Sequence, residues 1–208
     1  MSKKIGTFKL GGVSWKIIID NNTCETNESS WVRWLNKQTI GIRDTYSILL
    51  NYDVLERNIW DAIFFIIVND HMEYRGFTPK QTFGITGLLY QALTTNTCRP
   101  GEWDGTFQLG GINYIVKVDN KSGADNQFFG RCNPNSKLIE ITTQNYAGVE
   151  STDDFIYQTL IHEILHAINY ELGFDEAKTN SEKFVNTTAT FIYEVYKTLK
   201  INFPDESD

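Results

Sequence analysis

The sequence predicts an α+β protein made of two tandem β-β-β-α-α units, and three observations carry that reading. A block of residues recurs at a nearly constant offset; each block opens on alternating apolar positions broken by turn residues; each closes on two segments with helical spacing. The 208 residues include 41% hydrophobic and 13% aromatic side chains, enough to fill packed cores.

The recurrence is direct. GTFKLGGVSWKIIIDN at 6–21 lies against GTFQLGGINYIVKVDN at 105–120, an offset of 99, and Ile40 and Ile42 fall opposite Ile139 and Ile141 at the same offset. IWDAIFFIIVNDHMEYRGF at 59–77 then matches IYQTLIHEILHAINYELGF at 156–174, and TGLLYQAL at 86–93 matches ATFIYEVY at 189–196, Tyr90 opposite Tyr193. The expected organisation is one repeat over 1–97, a linker over 98–104 marked by Pro100 and Gly101, and a second repeat over 105–208. Duplicated genes often internalise a homodimer interface, so the two units are expected to form a pseudo-twofold pair within a monomer.

Within the second repeat, FQLGGINYIVKVD alternates as a strand, and FFGRCNPNSKLIEIT reads as two strands around an Asn/Pro/Ser turn. A helix is expected to start near Ser151–Asp154, where a hydroxyl cap and two carboxylates favour a helix N-terminus, and to stop at Gly173. A second helix runs from Thr179 or Asn180 to Leu199, with Phe184, Thr188, Phe191, Val195 and Leu199 three or four apart.

The first of these helices carries TLIHEILHAI at 159–168, which holds two of the three histidines in the chain. Four residues make just over one helical turn, so His162 and His166 stack on one face and can grip a single ion. Glu163, about 100° round from His162, reaches a water held by that ion, the general-base position of an H-E-x-x-H helix. The flanking residues Leu160, Ile161, Ile164, Leu165, Ala167 and Ile168 are apolar, so this helix is expected to be buried, and buried ionisable groups need partners. A third ligand is required. Glu171 lies about 140° off the His166 face and points away; Asp175 and Glu176 fall just past the helix end; Glu182 opens the next helix, which must turn back antiparallel, and is the expected ligand. In the first repeat His162, Glu163 and His166 face Phe65, Ile66 and Asn69, so one zinc per chain is expected and none in the first repeat.

The run from Thr159 to Ile168 resembles the zincin metallopeptidase signature, and a glutamate ligand on the next helix resembles the gluzincin arrangement. The compact unit with SEKFVNTTATFIYEV is similar to small zincin-like proteins encoded by phages and mobile elements. By that resemblance, which covers about residues 105–200, His162, His166 and Glu182 are zinc ligands, Glu163 is the catalytic base, and the first repeat is a degenerate zincin-like unit. The resemblance implies a zinc-dependent peptidase acting on a peptide or protein substrate. The alternative is a catalytically silent, zinc-stabilised interaction protein with a protein partner.

Other features narrow the class. Cys24, Cys98 and Cys132 are odd in number and form no C-x-x-C pair, so reduced thiols are expected rather than a disulfide framework. A net charge of −7 with no basic cluster argues against nucleic acid. The basic opening MSKKIGTFKLGG has no apolar signal core, and the longest apolar run, IWDAIFFIIV, is interrupted by Asp61 and too short for a membrane span. A cytoplasmic location is the expectation. His71 is expected at the surface or at a helix cap, and Trp31 and Trp34 in the core of the first hairpin, the other reading being a peptide-binding surface. Asn186 is either a surface amide or a hydrogen-bond partner of the metal site.

Overall fold

The computed structural model describes residues 3–19, 31–34, 38–42, 52–68, 78–174 and 182–202. Among them the chain is α+β. Its elements run β1 (Lys3–Leu10), β2 (Val13–Ile19), β3 (Trp31–Trp34), β4 (Thr39–Ile42), α1 (Tyr52–Ile66), α2 (Pro79–Thr95), β5 (Gly105–Leu109), β6 (Ile112–Val118), α3 (Asn120–Asn126), β7 (Gly130–Asn133), β8 (Leu138–Ile141), α4 (Asp153–Glu171), α5 (Glu182–Thr198) and β9 (Lys200–Ile201). None of the described helices is long and apolar enough to cross a membrane. Asn69, His71, Asp175 and Glu176, the side chains of Trp31 and Trp34, and Cys24 lie outside the described residues. Cys98 and Cys132 are free thiols.

Two compact units divide the chain: Met1–Arg75 with Glu194–Asp208, and Gly76–Tyr193. This division does not follow the repeat boundaries at 97 and 105, because α2 packs on β5 and α4 in the second unit while the end of α5 belongs to the first.

In the first unit the sheet order is β3-β4-β2-β1-β9. The β1–β2 hairpin turns on Gly11 and Gly12, whose φ values of 58° and 74° suit a primed two-residue turn that glycine adopts at no steric cost. Its tip is held by α5: the Glu194 carboxylate accepts from the Gly11 and Gly12 N–H groups at 2.7 and 2.9 Å, and Thr198 Oγ1 accepts from Lys9 N–H at 2.9 Å. Phe8, Ile17, Ile40, Ile42, Ile59 and Ile63 are all fully buried.

In the second unit the order is β5-β6-β8-β7, with the same sequence of antiparallel, parallel and antiparallel pairings. Equivalent pairs recur at the 99-residue offset: Gly6 with Ile17 and Gly105 with Val116, then Lys16 with Thr39 and Ile115 with Leu138. FQLGGINYIVKVD, expected as one strand, is the hairpin β5–β6. Gly110 and Gly111 sit at φ 57° and 82° and reverse the chain within the alternating run, so among the described residues the β part of each repeat is four strands rather than three, with β9 following α5. α2 holds this tip as α5 holds the other: Gln91 Oε1 accepts from Gly110 N–H at 2.7 Å and Thr95 Oγ1 from Gln108 N–H at 2.9 Å.

α4 lies on β7 and β8. Thr152 caps it by accepting from Phe155 N–H, Asp153 and Asp154 complement the positive end of its dipole, and Gly173 at φ 63° follows its last turn. Leu160, Ile161, Ile164, Leu165 and Ile168 are buried, each stabilising the unit by about 1.5–3 kcal/mol. That burial fixes the rotation of α4 and with it the direction of the His-Glu-His face.

Candidate metal centre

Two histidines and a carboxylate converge where α4 meets the start of α5. The nitrogens His162 Nε2 and His166 Nε2 are 2.9 Å apart; Glu182 Oε2 is 3.4 Å from the first and Glu182 Oε1 3.3 Å from the second. These three residues are the group among the described residues whose ligand atoms all lie within 4.8 Å of one another. Atoms bonded at about 2.0–2.1 Å to a tetrahedral zinc stand roughly 3.3 Å from each other, so the residues fit such an ion. The chemistry of the set points the same way. Two imidazoles with side chains only 15% and 17% exposed turn their Nε2 atoms toward one carboxylate, while Glu182, 71% exposed, leaves the fourth side open.

The helical period explains the pairing of the histidines, and the antiparallel return of α5 explains Glu182. One turn further along α5, Asn186 hydrogen-bonds His162 and orients its ring. Burial, followed by repulsion from His166, holds the His162 pKa below its usual value, which keeps the ring neutral and able to ligate. Gln158 Nε2 donates to Thr190 Oγ1 at 2.6 Å, tying the two helices together beside the site.

Glu163 sits under this group. It is 5% exposed, with Oε1 3.9 Å from His162 Nε2. Burial, and then the charge on Glu182, push its pKa up to about 8, and a hydrogen bond donated by the Cys132 backbone N–H partly offsets the rise. The carboxylate rests against the main chain of β7: a Cβ added to Gly130 would stand 2.6 Å from Glu163 Oε1 and 2.7 Å from Thr159 Cγ2. Gly130 therefore makes room for Glu163. Sequence reasoning passed over Gly130 and the Cys132 amide, although the repeat held a signal: at the 99-residue offset Gly130 corresponds to Trp31, and at the helices' 97-residue offset Glu163 corresponds to Ile66. Cys132 itself is a protonated thiol, its pKa pushed by burial up to about 12.

Glu171 is directed elsewhere, as its angle on the helix requires. It accepts from Lys137 Nζ and from the Tyr114 hydroxyl, and Lys137 lies over the Tyr114 and Tyr170 rings at 5.4 and 5.3 Å. Burial raises the Glu171 pKa, and these two hydrogen bonds outweigh it to give a net lowering.

A cleft of about 400 Å³ opens beside the group, with His162 and Glu163 at one end. Phe128, Phe129, Tyr146 and Phe155 line it; Phe129 stacks on Tyr146 at 4.7 Å and meets Phe155 edge to face at 5.0 Å. None of these four aromatics stands out in the sequence, because the residues before β7, the 143–151 loop and the start of α4 meet only in the folded unit.

The chain matches no protein-family model, no curated protein and no solved structure.

Proposed function

We propose that this protein is a zinc-dependent metallopeptidase of the zincin type, acting inside the cell on a peptide or protein substrate. The observation that carries the reading is the convergence of His162, His166 and Glu182 at tetrahedral ligand spacing, with a buried carboxylate, Glu163, beside them. When bound there, zinc supplies a Lewis acid for the scissile carbonyl and lowers the pKa of a water toward about 7. Glu163, at the edge of the ligand group, would accept a proton from the attacking water as the water oxygen adds to the carbonyl carbon. The same carboxyl then delivers the proton to the leaving amine nitrogen as the C–N bond breaks. The Cys132 N–H fixes one side of the carboxylate through both transfers, and Asn186 keeps the His162 ring in place.

Glu163→Gln tests this reading, since it keeps size and shape and removes the base. The zinc-loaded variant is expected to retain one zinc and to capture from the native host a protein that the zinc-loaded parent cleaves in vitro and the variant does not. Full biological effect in Glu163→Gln would reject catalysis and leave a zinc-stabilised interaction protein.

The repeats support a second element of the proposal, a fused pair of zincin-like units with a degenerate first copy. Shared strand order, shared register and the like roles of Gln91 and Glu194 at the two hairpin tips favour duplication. The second helix of each copy serves the hairpin of the other, as expected of a homodimer that exchanged helices before fusion.

A further inference from the structure

Resting on the zinc-peptidase reading, we infer that the cleft beside the metal centre selects substrates with a bulky, uncharged apolar side chain next to the scissile bond. Its wall is the aromatic group of Phe128, Phe129, Tyr146 and Phe155, and among the described residues that line it there is no Lys, Arg or Asp, His162 and Glu163 standing at the metal end. Away from the metal end, an acidic side chain finds no cation among the described lining residues. Arg131 stacks on the Phe128 ring at 4.8 Å, but its guanidinium is held by Glu140 through bonds of 3.0 and 2.7 Å. A basic side chain finds, among the described lining residues, no carboxylate other than the one the reaction uses. Buried charge without a partner is costly, so either kind of residue is rejected.

The size of the cleft agrees with this occupant. About 400 Å³ falls within the roughly 300–1,000 Å³ of small-ligand pockets and admits a large side chain together with adjoining main chain. Tyr146 and Phe155 are 49% and 40% exposed, so they carry apolar surface that an occupant would cover. The wall is also preformed: the Tyr146 hydroxyl donates to Gln127 O at 3.0 Å, and Asn145 closes its loop by accepting from Ala147 and Val149 N–H. A preformed apolar wall loses little entropy when filled. The other polar side chains in the lining, Thr159, Gln158 and Asn186, are uncharged and already bond Phe155 O, Thr190 and His162.

Amino-acid hydroxamates test the inference without needing the native substrate. The hydroxamates of glycine, phenylalanine, glutamate and lysine are titrated calorimetrically into the zinc-loaded protein. Phenylalanine hydroxamate is expected to bind on the order of 30-fold more tightly than glycine hydroxamate, and the glutamate and lysine compounds no more tightly than glycine. The phenylalanine-to-glycine ratio should fall toward 1 in Phe155→Ala and in Tyr146→Ala, two half-exposed positions whose truncation spares the core. Glycine hydroxamate binding with no preference for phenylalanine, or an equal preference for glutamate or lysine, overturns the specificity while leaving the zinc reading intact. Failure to take up zinc at all removes both.

Discussion

The carboxyl of Glu163 stores a pH dependence that a single substitution exposes. Its pKa is 4.5 in the unfolded chain and about 8 in the folded, metal-free protein, chiefly because burial penalises the charged form. A raised acid binds its proton more tightly when folded, so its contribution is fully favourable below pH 4.5 and is lost as pH climbs toward 8. Linkage gives a destabilisation under about 1 kcal/mol at pH 5 and about 3 kcal/mol at pH 7. Glu163→Gln keeps an acceptor for the Cys132 N–H and has no proton to lose, and His162 remains in both proteins. The metal-free variant is therefore expected to gain on the parent by roughly 2–3 kcal/mol between pH 5 and pH 7, which at about 1–3 kcal/mol per molar urea moves the midpoint by the order of 1 M. Urea unfolding of chelator-treated parent and variant at the two pH values measures it. In zinc-loaded protein the gap should shrink, because a dication beside the carboxylate favours its charged form. Equal midpoint differences at pH 5 and pH 7 in the metal-free proteins would refute the assignment of Glu163 as a buried, proton-holding group.

Elemental analysis of native protein should return one zinc per chain, lost in His162→Ala, and Glu182→Ala should weaken zinc binding more than Asp175→Ala or Glu176→Ala; two equivalents, or the reverse order, would move the site. Gly130→Ala puts a methyl group 2.6 Å from Glu163 Oε1, so it is expected to cost about 1–3 kcal/mol of stability and to lower kcat at least about tenfold with one zinc still bound; unchanged kcat would show that Gly130 does not place the base. Glu171→Gln breaks the Lys137 ion pair and should lower the unfolding midpoint while leaving zinc affinity unchanged, and a loss of zinc would bring Glu171 into the centre after all.

Much of the centre was readable because it obeys helical geometry. The four-residue spacing of His162 and His166 places them on one face whatever the rest of the chain does, and an antiparallel return is the simplest way for α5 to bring Glu182 to that face. The ends of α4 were readable from Thr152, Asp153 and Gly173, which act through local capping and φ preference. The hairpin at Gly110–Gly111 was missed although its signal was local: a Gly-Gly pair inside an alternating run marks a turn more strongly than the alternation marks a single strand. The rest could not be read in sequence order. That α2 packs with β5 and α4 depends on tertiary packing, as does the meeting of Phe129, Tyr146 and Phe155 from separate segments.

The comparison between the copies shows what the centre costs. At the aligned position in the first repeat stands Ile66, fully buried, which carries no desolvation penalty, whereas Glu163 is a buried carboxyl held in a form it would not favour in neutral water. A chain selected for stability alone would fill the second copy as it filled the first. The second copy instead keeps a glycine under the carboxylate, where an added Cβ would collide with it, and an edge-strand amide aimed at its oxygen. The glycine makes room for Glu163 and Thr159 alike, the amide serves Glu163, and the first repeat has Trp31 in place of that glycine. An arrangement that sacrifices folding free energy to hold one carboxyl beside three converging ligand atoms is expected where the carboxyl acts on something bound there. A merely structural ion would be served by the two histidines and Glu182 with an isoleucine beneath them, so the buried glutamate is the part of the centre that argues for chemistry.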